Sequence, residues 1–505
     1  MSTIELRTAR SGGAGRLPAH ADVVVVGAGF SGLAMARELR RRGHRDFLVL
    51  ERADDVGGVW RDNTYPGCAC DVPSHLYSFS FALNPEWSST YSPQPEIHAY
   101  LKRTAEQEGL LDRVRFGCEL TDARWDPEAA QWRLETTRGV LTARALVVAP
   151  GGLVEPKLPD IPGLADFPGT VFHSARWNHE HRLDGERVAV VGTGASAIQF
   201  VPRIQPRVGK LVLFQRTAPW ILPRTDRPIT RLERAVFRRV PGAQRLMRTL
   251  VFWLREAGAL TMLRPALSVL SRTSGLAHLR RSSRSGTWRR KLTPRYAPGC
   301  KRILLSNDYL PSLTRPNVEV LTEGLAEVRG STVVGTDGSE REVDTIILGT
   351  GFEVTEPPIA ERIRDGAGRS LADHWDGSMR AHKGTTVAGF PNLYFLTGPN
   401  TGLGHTSVVL MAEAQVRYVA QALRHEVVEV RPEAEAAWNE LVQRKTRGTV
   451  WVSGGCASWY LDRRGLNTTL WPDFQHRFTL ALRRFEPSEH RIASVPAQAR
   501  GKAAA

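Results

Sequence analysis

Three stretches of the chain pass abruptly from a run of apolar residues into glycine. "ADVVVVGAGFSGLAMARELRRRG" leads from a Val-rich strand through Gly27, Gly29 and Gly32 into a segment with apolar residues at helical spacing, and "DFLVLER" adds a second strand ending in Glu51. "RVAVVGTGASAIQFVPRI" repeats the pattern with Gly192, Gly194 and Ala197, and its following strand "KLVLFQRT" ends in Gln215, Arg216 and Thr217. The third stretch, "VDTIILGTGF", places Asp344 before an apolar strand that ends in Gly349, Thr350 and Gly351. It reads as the point where the chain re-enters its first domain. "NLYFLTGPNTGLGHTSVVLMAEAQVRYVAQALR" then gives a strand, a glycine-rich turn and a long helix starting near His405.

This order predicts an α/β fold of two nested dinucleotide-binding (Rossmann-like) domains with a helical insertion in the second. The first part of the first domain is expected over 1–155, the second domain over 156–340 with its insertion at about 224–300, and the return over 341–485. The composition of 486–505 predicts a disordered tail.

The glycine turns carry chemistry. Glycines at this spacing allow a tight turn and close backbone approach, so that a pyrophosphate can sit on a helix N-terminus. Glu51 is placed to accept hydrogen bonds from an adenosine ribose, which suits FAD or NAD. The second unit lacks that carboxylate and offers Arg216 and Thr217, a pairing that suits the 2′-phosphate of NADP.

Charge narrows the partners. The net charge of +16 invites a nucleic-acid reading, but between Arg224 and Arg302 there are 20 basic and 3 acidic residues, and the remaining 48 basic and 49 acidic groups nearly cancel. The basicity belongs to one segment, so nucleic acid is not the expected partner. The five cysteines, Cys68, Cys70, Cys118, Cys300 and Cys456, are few and not in C-x-x-C spacing. Neither a disulfide framework nor a zinc or other metal site is expected, and a reducing cytoplasm fits best. With no signal-peptide core and no apolar run long enough to span a bilayer, a soluble protein is expected.

"FPGTVFHSARWN" sets Phe167, Gly169, His173 and Trp177 in a connector, and "GGVWRDNTYPGCACD" contributes Gly57, Gly58, Trp60, Tyr65, Pro66, Gly67 and Asp71. With these two patterns in this order the chain resembles the class B flavoprotein monooxygenases, specifically the type I Baeyer-Villiger monooxygenases. It departs at Asn178, where that family usually has Pro or Asp. The resemblance covers roughly residues 20 to 485. It implies FAD and NADPH as cofactors and His173 and Trp177 on the linker that keeps the two domains in register. It further implies Arg302 as the active-site arginine, Asp71 as the carboxylate that orients it, and Lys301 beside the 2′-phosphate. The implied reaction inserts one oxygen atom from O2 next to the carbonyl of a lipophilic ketone, through a C4a-peroxyflavin.

Other readings remain beside it. A class B enzyme acting on nitrogen or sulfur shares most of the pattern, and an NADPH-dependent flavin reductase shares the two nucleotide sites. A disulfide reductase would need a dithiol that Cys68-x-Cys70 does not supply. A flavin-binding protein without activity would not be reduced by NADPH. The basic segment reads as a solvated helical cap, as a peripheral membrane contact with Phe252 and Trp253 on its apolar face, or as a field that steers NADPH. The sequence leaves the oligomeric state open.

Overall fold

The first glycine turn joins β1 (His20–Val26) to α1 (Phe30–Arg41), which returns to β2 (Phe47–Leu50). In this computed structural model, which describes residues 16–283 and 285–494, β1 is flanked by two parallel neighbours. Val23–Val26 lie opposite Phe47–Leu50 on one side and opposite Ala145–Val148 of β3 (Gly139–Val148) on the other. β1 is an almost fully buried Val run, as a strand covered on both faces requires. Phe30, Leu33, Met35 and Leu39 place the apolar stripe of α1 in the same core.

A second sheet is wholly parallel. It contains β4 (Thr170–His173), β5 (Arg187–Val191), β6 (Lys210–Phe214), β7 (Val318–Leu321) and β8 (Thr345–Leu348), in the order β7-β6-β5-β8-β4. The second glycine turn lies between β5 and α2 (Ala197–Ile204). The chain returns to the first sheet at β9 (Leu393–Phe395), which pairs with β3, and α3 (Val408–Ala422) then packs against α1. Between β6 and β7, Ile221–Leu222 pairs with Leu304–Leu305 and closes the base of a helical insertion whose helices include Arg231–Arg239, Ala243–Gly258 and Ser268–Ser282.

Four expectations need correction. The strand after Asp344 belongs to the second sheet, between β5 and β4, so the return to the first domain lies beyond it. It pairs with both neighbours and buries Ile346 and Leu348 in the core of the second domain, and at its start the Asp344 carboxylate accepts from the Arg187 backbone N–H at 2.8 Å and from the Arg187 guanidinium at 2.6 and 3.1 Å. The long helix starts at Val408, with the Ser407 hydroxyl capping it, three residues beyond His405. The tail is ordered past residue 486. His490–Ala493 pairs antiparallel with Val427–Val430, and the neighbouring Glu489 accepts from Lys383 at 2.6 Å. Residues 495–505 lie outside the described residues.

The fourth correction concerns cysteine. Cys300 and Cys456 form a disulfide across 156 residues, with their Cα atoms 6.1 Å apart, and Cys68, Cys70 and Cys118 are free and buried. Spacing along the chain could not reveal this pair, because folding alone brings the two segments together. Closing so long a loop is worth about 2–5 kcal/mol. Thiol titration of the unreduced, denatured protein should therefore find three thiols, and Cys300→Ser/Cys456→Ser should melt several degrees lower than the oxidised protein. Five reactive thiols and equal melting temperatures would show that the bond does not form.

Candidate active site

The two glycine turns are shaped for close backbone approach. Gly27 has φ +101°, and a Cβ there would lie 2.5 Å from the Ala149 carbonyl oxygen; a Cβ on Gly32 would lie 1.8 Å from the Gly27 oxygen. Side chains are excluded, and the backbone N–H groups at the start of α1 stay open to a ligand. The second turn repeats the device at Gly192, with φ +110° and a would-be Cβ 2.4 Å from the Gly349 oxygen, while Gly194 faces open space. Ala197 begins α2 and packs against Gly349.

Glu51 is buried at the end of β2. Its Oε2 accepts from the Ala28 N–H at 2.9 Å, and its Oε1 accepts from the Ala53 N–H and from Arg61, each at 3.0 Å. Arg61, which sequence reasoning passed over, pairs with this carboxylate where a ribose hydroxyl would meet it. The signal was present, since Arg61 follows Trp60 inside the second family pattern. Trp60 is buried and donates its indole N–H to the Tyr77 hydroxyl at 2.9 Å.

In the second unit, Gln215 is buried at the end of β6, with its amide donating to the Lys291 carbonyl, and Arg216 is exposed. The Thr193 hydroxyl of the glycine turn donates to the Thr217 carbonyl at 3.2 Å. Lys301 is half-buried over the ring of Tyr296, 5.5 Å from its centroid. Burial lowers its pKa, and the positive field of Arg216 lowers it further. Two cations set against each other in this way favour an anion of high charge between them.

Asp71 and Arg302 meet in a bidentate pair. Nε donates to one carboxylate oxygen and Nη2 to the other, both at 2.7 Å. The Asp71 charge raises the pKa of Arg302, so the guanidinium stays charged at any working pH. Its Nη1 points to the Leu403 carbonyl at 3.5 Å, in the turn before α3. The pair is about a third exposed, which leaves the guanidinium edge within reach of a ligand.

The connector residues answer to packing first. Phe167 is buried in the core of the second domain, and a Cβ on Gly169 would lie 2.2 Å from the Asp344 oxygen. The His173 ring accepts from the Ala175 N–H at 3.1 Å, and burial pushes its pKa down to about 4, so it is neutral near pH 7. Trp177 packs on Phe200 of α2 at 5.3 Å, and Phe200 meets Tyr65 of the first domain at 6.2 Å. Asn178 accepts from the Glu180 and His181 N–H groups, a turn that an aspartate could form equally well.

Gln199, also missed, joins the two domains. Its amide oxygen accepts from Tyr65 Oη at 3.0 Å and from the Ala69 N–H at 3.3 Å, while its amide nitrogen donates to the Ala69 carbonyl at 2.9 Å. Nothing in the local sequence marked it, because its partners Ala69 and Tyr65 lie 130 and 134 residues away.

A flavoenzyme with two nucleotide sites, and with a charged arginine pair beside the junction of its domains, is the class that this fold and site define. The family model for flavin-binding monooxygenase-like proteins matches residues 20–257. A Baeyer-Villiger monooxygenase of Streptomyces coelicolor is 51% identical over 495 residues, covering 96% of this chain and 95% of that protein. A second, from Pseudomonas aeruginosa, is 47% identical over 486 residues, covering 94% and 92%. Among solved structures, the closed form of cyclohexanone monooxygenase superposes with a TM-score of 0.84 at 26% identity, covering 94% of this chain and 99% of that one. A steroid monooxygenase bound to NADP gives 0.82 at 30% identity, with the same coverage. The chain belongs to the Baeyer-Villiger monooxygenase family of flavin-binding monooxygenases, whose cofactors are FAD and NADP.

Replacing Arg216 with Ala is expected to raise the KM for NADPH much more than that for NADH, since only NADPH carries the 2′-phosphate. Steady-state kinetics with both coenzymes measures this. Equal changes would remove Arg216 from the 2′-phosphate site.

Proposed function

We propose that this enzyme inserts one atom of O2 between the carbonyl carbon of a lipophilic ketone and its neighbouring carbon, giving an ester or lactone. The other oxygen atom leaves as water, and NADPH supplies the two electrons. The observation that carries this reading is the bidentate Asp71–Arg302 pair. When bound, FAD supplies the chemistry by taking hydride from NADPH and activating oxygen.

The chain's own residues do the rest. The turn at Gly27, Gly29 and Gly32 holds the FAD pyrophosphate, with Glu51 on its ribose and Trp60 in the wall around the flavin. The turn at Gly192, Gly194 and Ala197 holds that of NADPH, with Arg216, Thr217 and Lys301 on the 2′-phosphate. Arg302 faces the negative charge that develops on the carbonyl oxygen during attack, and Asp71 fixes the plane of its guanidinium. His173 is neutral and packed, so it positions the linker and moves no proton. Burial pushes the Cys68 thiol up to about 12 and Cys70 further still, which leaves no thiolate for disulfide-reductase chemistry.

The protein works at a membrane surface as a peripheral protein; among the described residues no helix is long and apolar enough to cross a membrane. The reading tests directly. Arg302→Ala should keep FAD but lose ketone oxygenation by on the order of a hundred- to a thousandfold. Flavin absorbance and product formation on ketone and sulfide panels measure both. Ketone oxygenation near the wild-type rate would exclude Arg302 from this role, and products from sulfides alone would move the enzyme to the nitrogen- or sulfur-oxygenating group.

A further inference from the structure

The helix Ala243–Gly258 is built inside out. A surface helix ordinarily turns its apolar stripe to the core and its polar side chains to water. Here Gln244, Arg248 and Glu256 point inward and are buried. Gln244 donates to the Asn84 carbonyl at 2.6 Å, and Arg248 donates to the carbonyls of His75 and Leu76 at 2.9 and 3.1 Å. Glu256 accepts from the His476 N–H at 3.0 Å. The outward stripe is Leu246, Leu250, Trp253 and Leu254, with Leu254 75% exposed. At 3.6 residues per turn these four positions fall within roughly 100° of helix surface. Phe252 is not among them. It is half-buried against the main core, so only Trp253 of the two aromatic residues faces outward.

The pattern extends beyond one helix. Of 19 exposed large apolar side chains among the described residues, 11 fall between Leu232 and Leu270. Scattered apolar exposure is ordinary on a protein surface, but this concentration marks an interaction face. On the helix Arg231–Arg239, which contacts the inverted one, Leu232 and Val236 repeat the outward spacing.

Charge selects the occupant. Arg231, Arg238, Arg239, Arg245 and Arg264 are exposed along the same segment, and no ion pair among the described residues engages Arg239, Arg245 or Arg264. The three carboxylates of the segment are already used or hidden. Asp226 faces Arg224, Glu233 is paired with Arg227 at 2.7 Å, and Glu256 is buried. A second copy would therefore bring arginine against arginine, with no free carboxylate on this segment to meet it.

We propose that this face docks on the surface of a bilayer containing anionic lipid. Leu246, Leu250, Trp253 and Leu254 enter the acyl boundary, and the flanking arginines meet phosphate headgroups. This deepens the peripheral contact proposed above by assigning it to particular side chains. It also gives the contact a direction. The inner side of the same insertion reaches the turn before α3, where a Cβ on Gly404 would lie 2.8 Å from Met262 Sδ, and that turn carries the Leu403 carbonyl beside Arg302. Lipid and active-site turn thus lie on opposite sides of one short layer of helices, a route suited to a ketone dissolved in the bilayer.

The test floats the FAD-loaded, oxidised protein with phosphatidylcholine vesicles, with and without phosphatidylglycerol, and no ketone present. Binding should need phosphatidylglycerol and fall as salt rises, because screening shortens to about 3 Å at 1 M. Leu250→Ser/Leu254→Ser should weaken it by on the order of tenfold or more while FAD content and NADPH oxidation stay unchanged. If that variant folds poorly, brominated acyl chains should quench wild-type tryptophan emission, and Trp253→Phe should remove the quenched component. Equal binding to both vesicle types, an unaffected Leu250→Ser/Leu254→Ser variant, or no quenching would overturn the proposal. So would a dimer in sedimentation velocity that this variant dissolves, since a second copy would then cover the face. The lipid result does not depend on turnover, so failure to oxidise any ketone would sink the reaction and leave the docking face standing.

Discussion

An aspartate and an arginine 231 residues apart meet through two 2.7 Å hydrogen bonds, and the arrangement of both domains serves that meeting. Asp71 lies on the loop after the first nucleotide turn. Arg302 arrives only after the second nucleotide unit and the whole insertion have been traversed. Neither could be fixed by local structure. Their alignment depends on the contacts that hold one domain against the other, which include the amide of Gln199 on the Tyr65–Ala69 loop and the stack of Trp177, Phe200 and Tyr65. A carboxylate and a guanidinium in two-point contact leave little angular freedom.

What was legible in the sequence were features whose physics is local. Gly27 and Gly192 announce themselves because a left-handed turn with no room for a side chain admits little else. Apolar runs beside them read as buried parallel strands for the same reason. The strand after Asp344 shows the limit. Its composition predicts a strand, but the choice of sheet rests on pairing with Thr170–His173 and Arg187–Val191, far away along the chain. The ordered segment at His490–Ala493 was hidden likewise, since its composition is polar and its order comes from pairing with Val427–Val430.

The site divides along the same line. Glu51 and Arg216 follow from position after a strand, whereas Arg302 and Lys301 needed the family resemblance to stand out from a basic segment. Gln199 and the Cys300–Cys456 bond gave no sequence signal at all. The inverted helix is a case apart. Periodicity reveals that a helix is two-faced, but not which face the protein keeps, and here the polar face is the inner one because the carbonyls of His75, Leu76 and Asn84 need donors.

The Cys300–Cys456 bond sits one residue before Lys301 and two before Arg302. On its other side it reaches the segment that includes Trp451 and Tyr460, which share a small core with Trp220 and Tyr296. The arginine is therefore mounted on a cross-braced plate, with aromatic rings as filler and a covalent rivet at its edge. Any displacement of its backbone during turnover must carry the plate along. The guanidinium is tied in turn by Asp71, so the side chain is anchored at both root and tip.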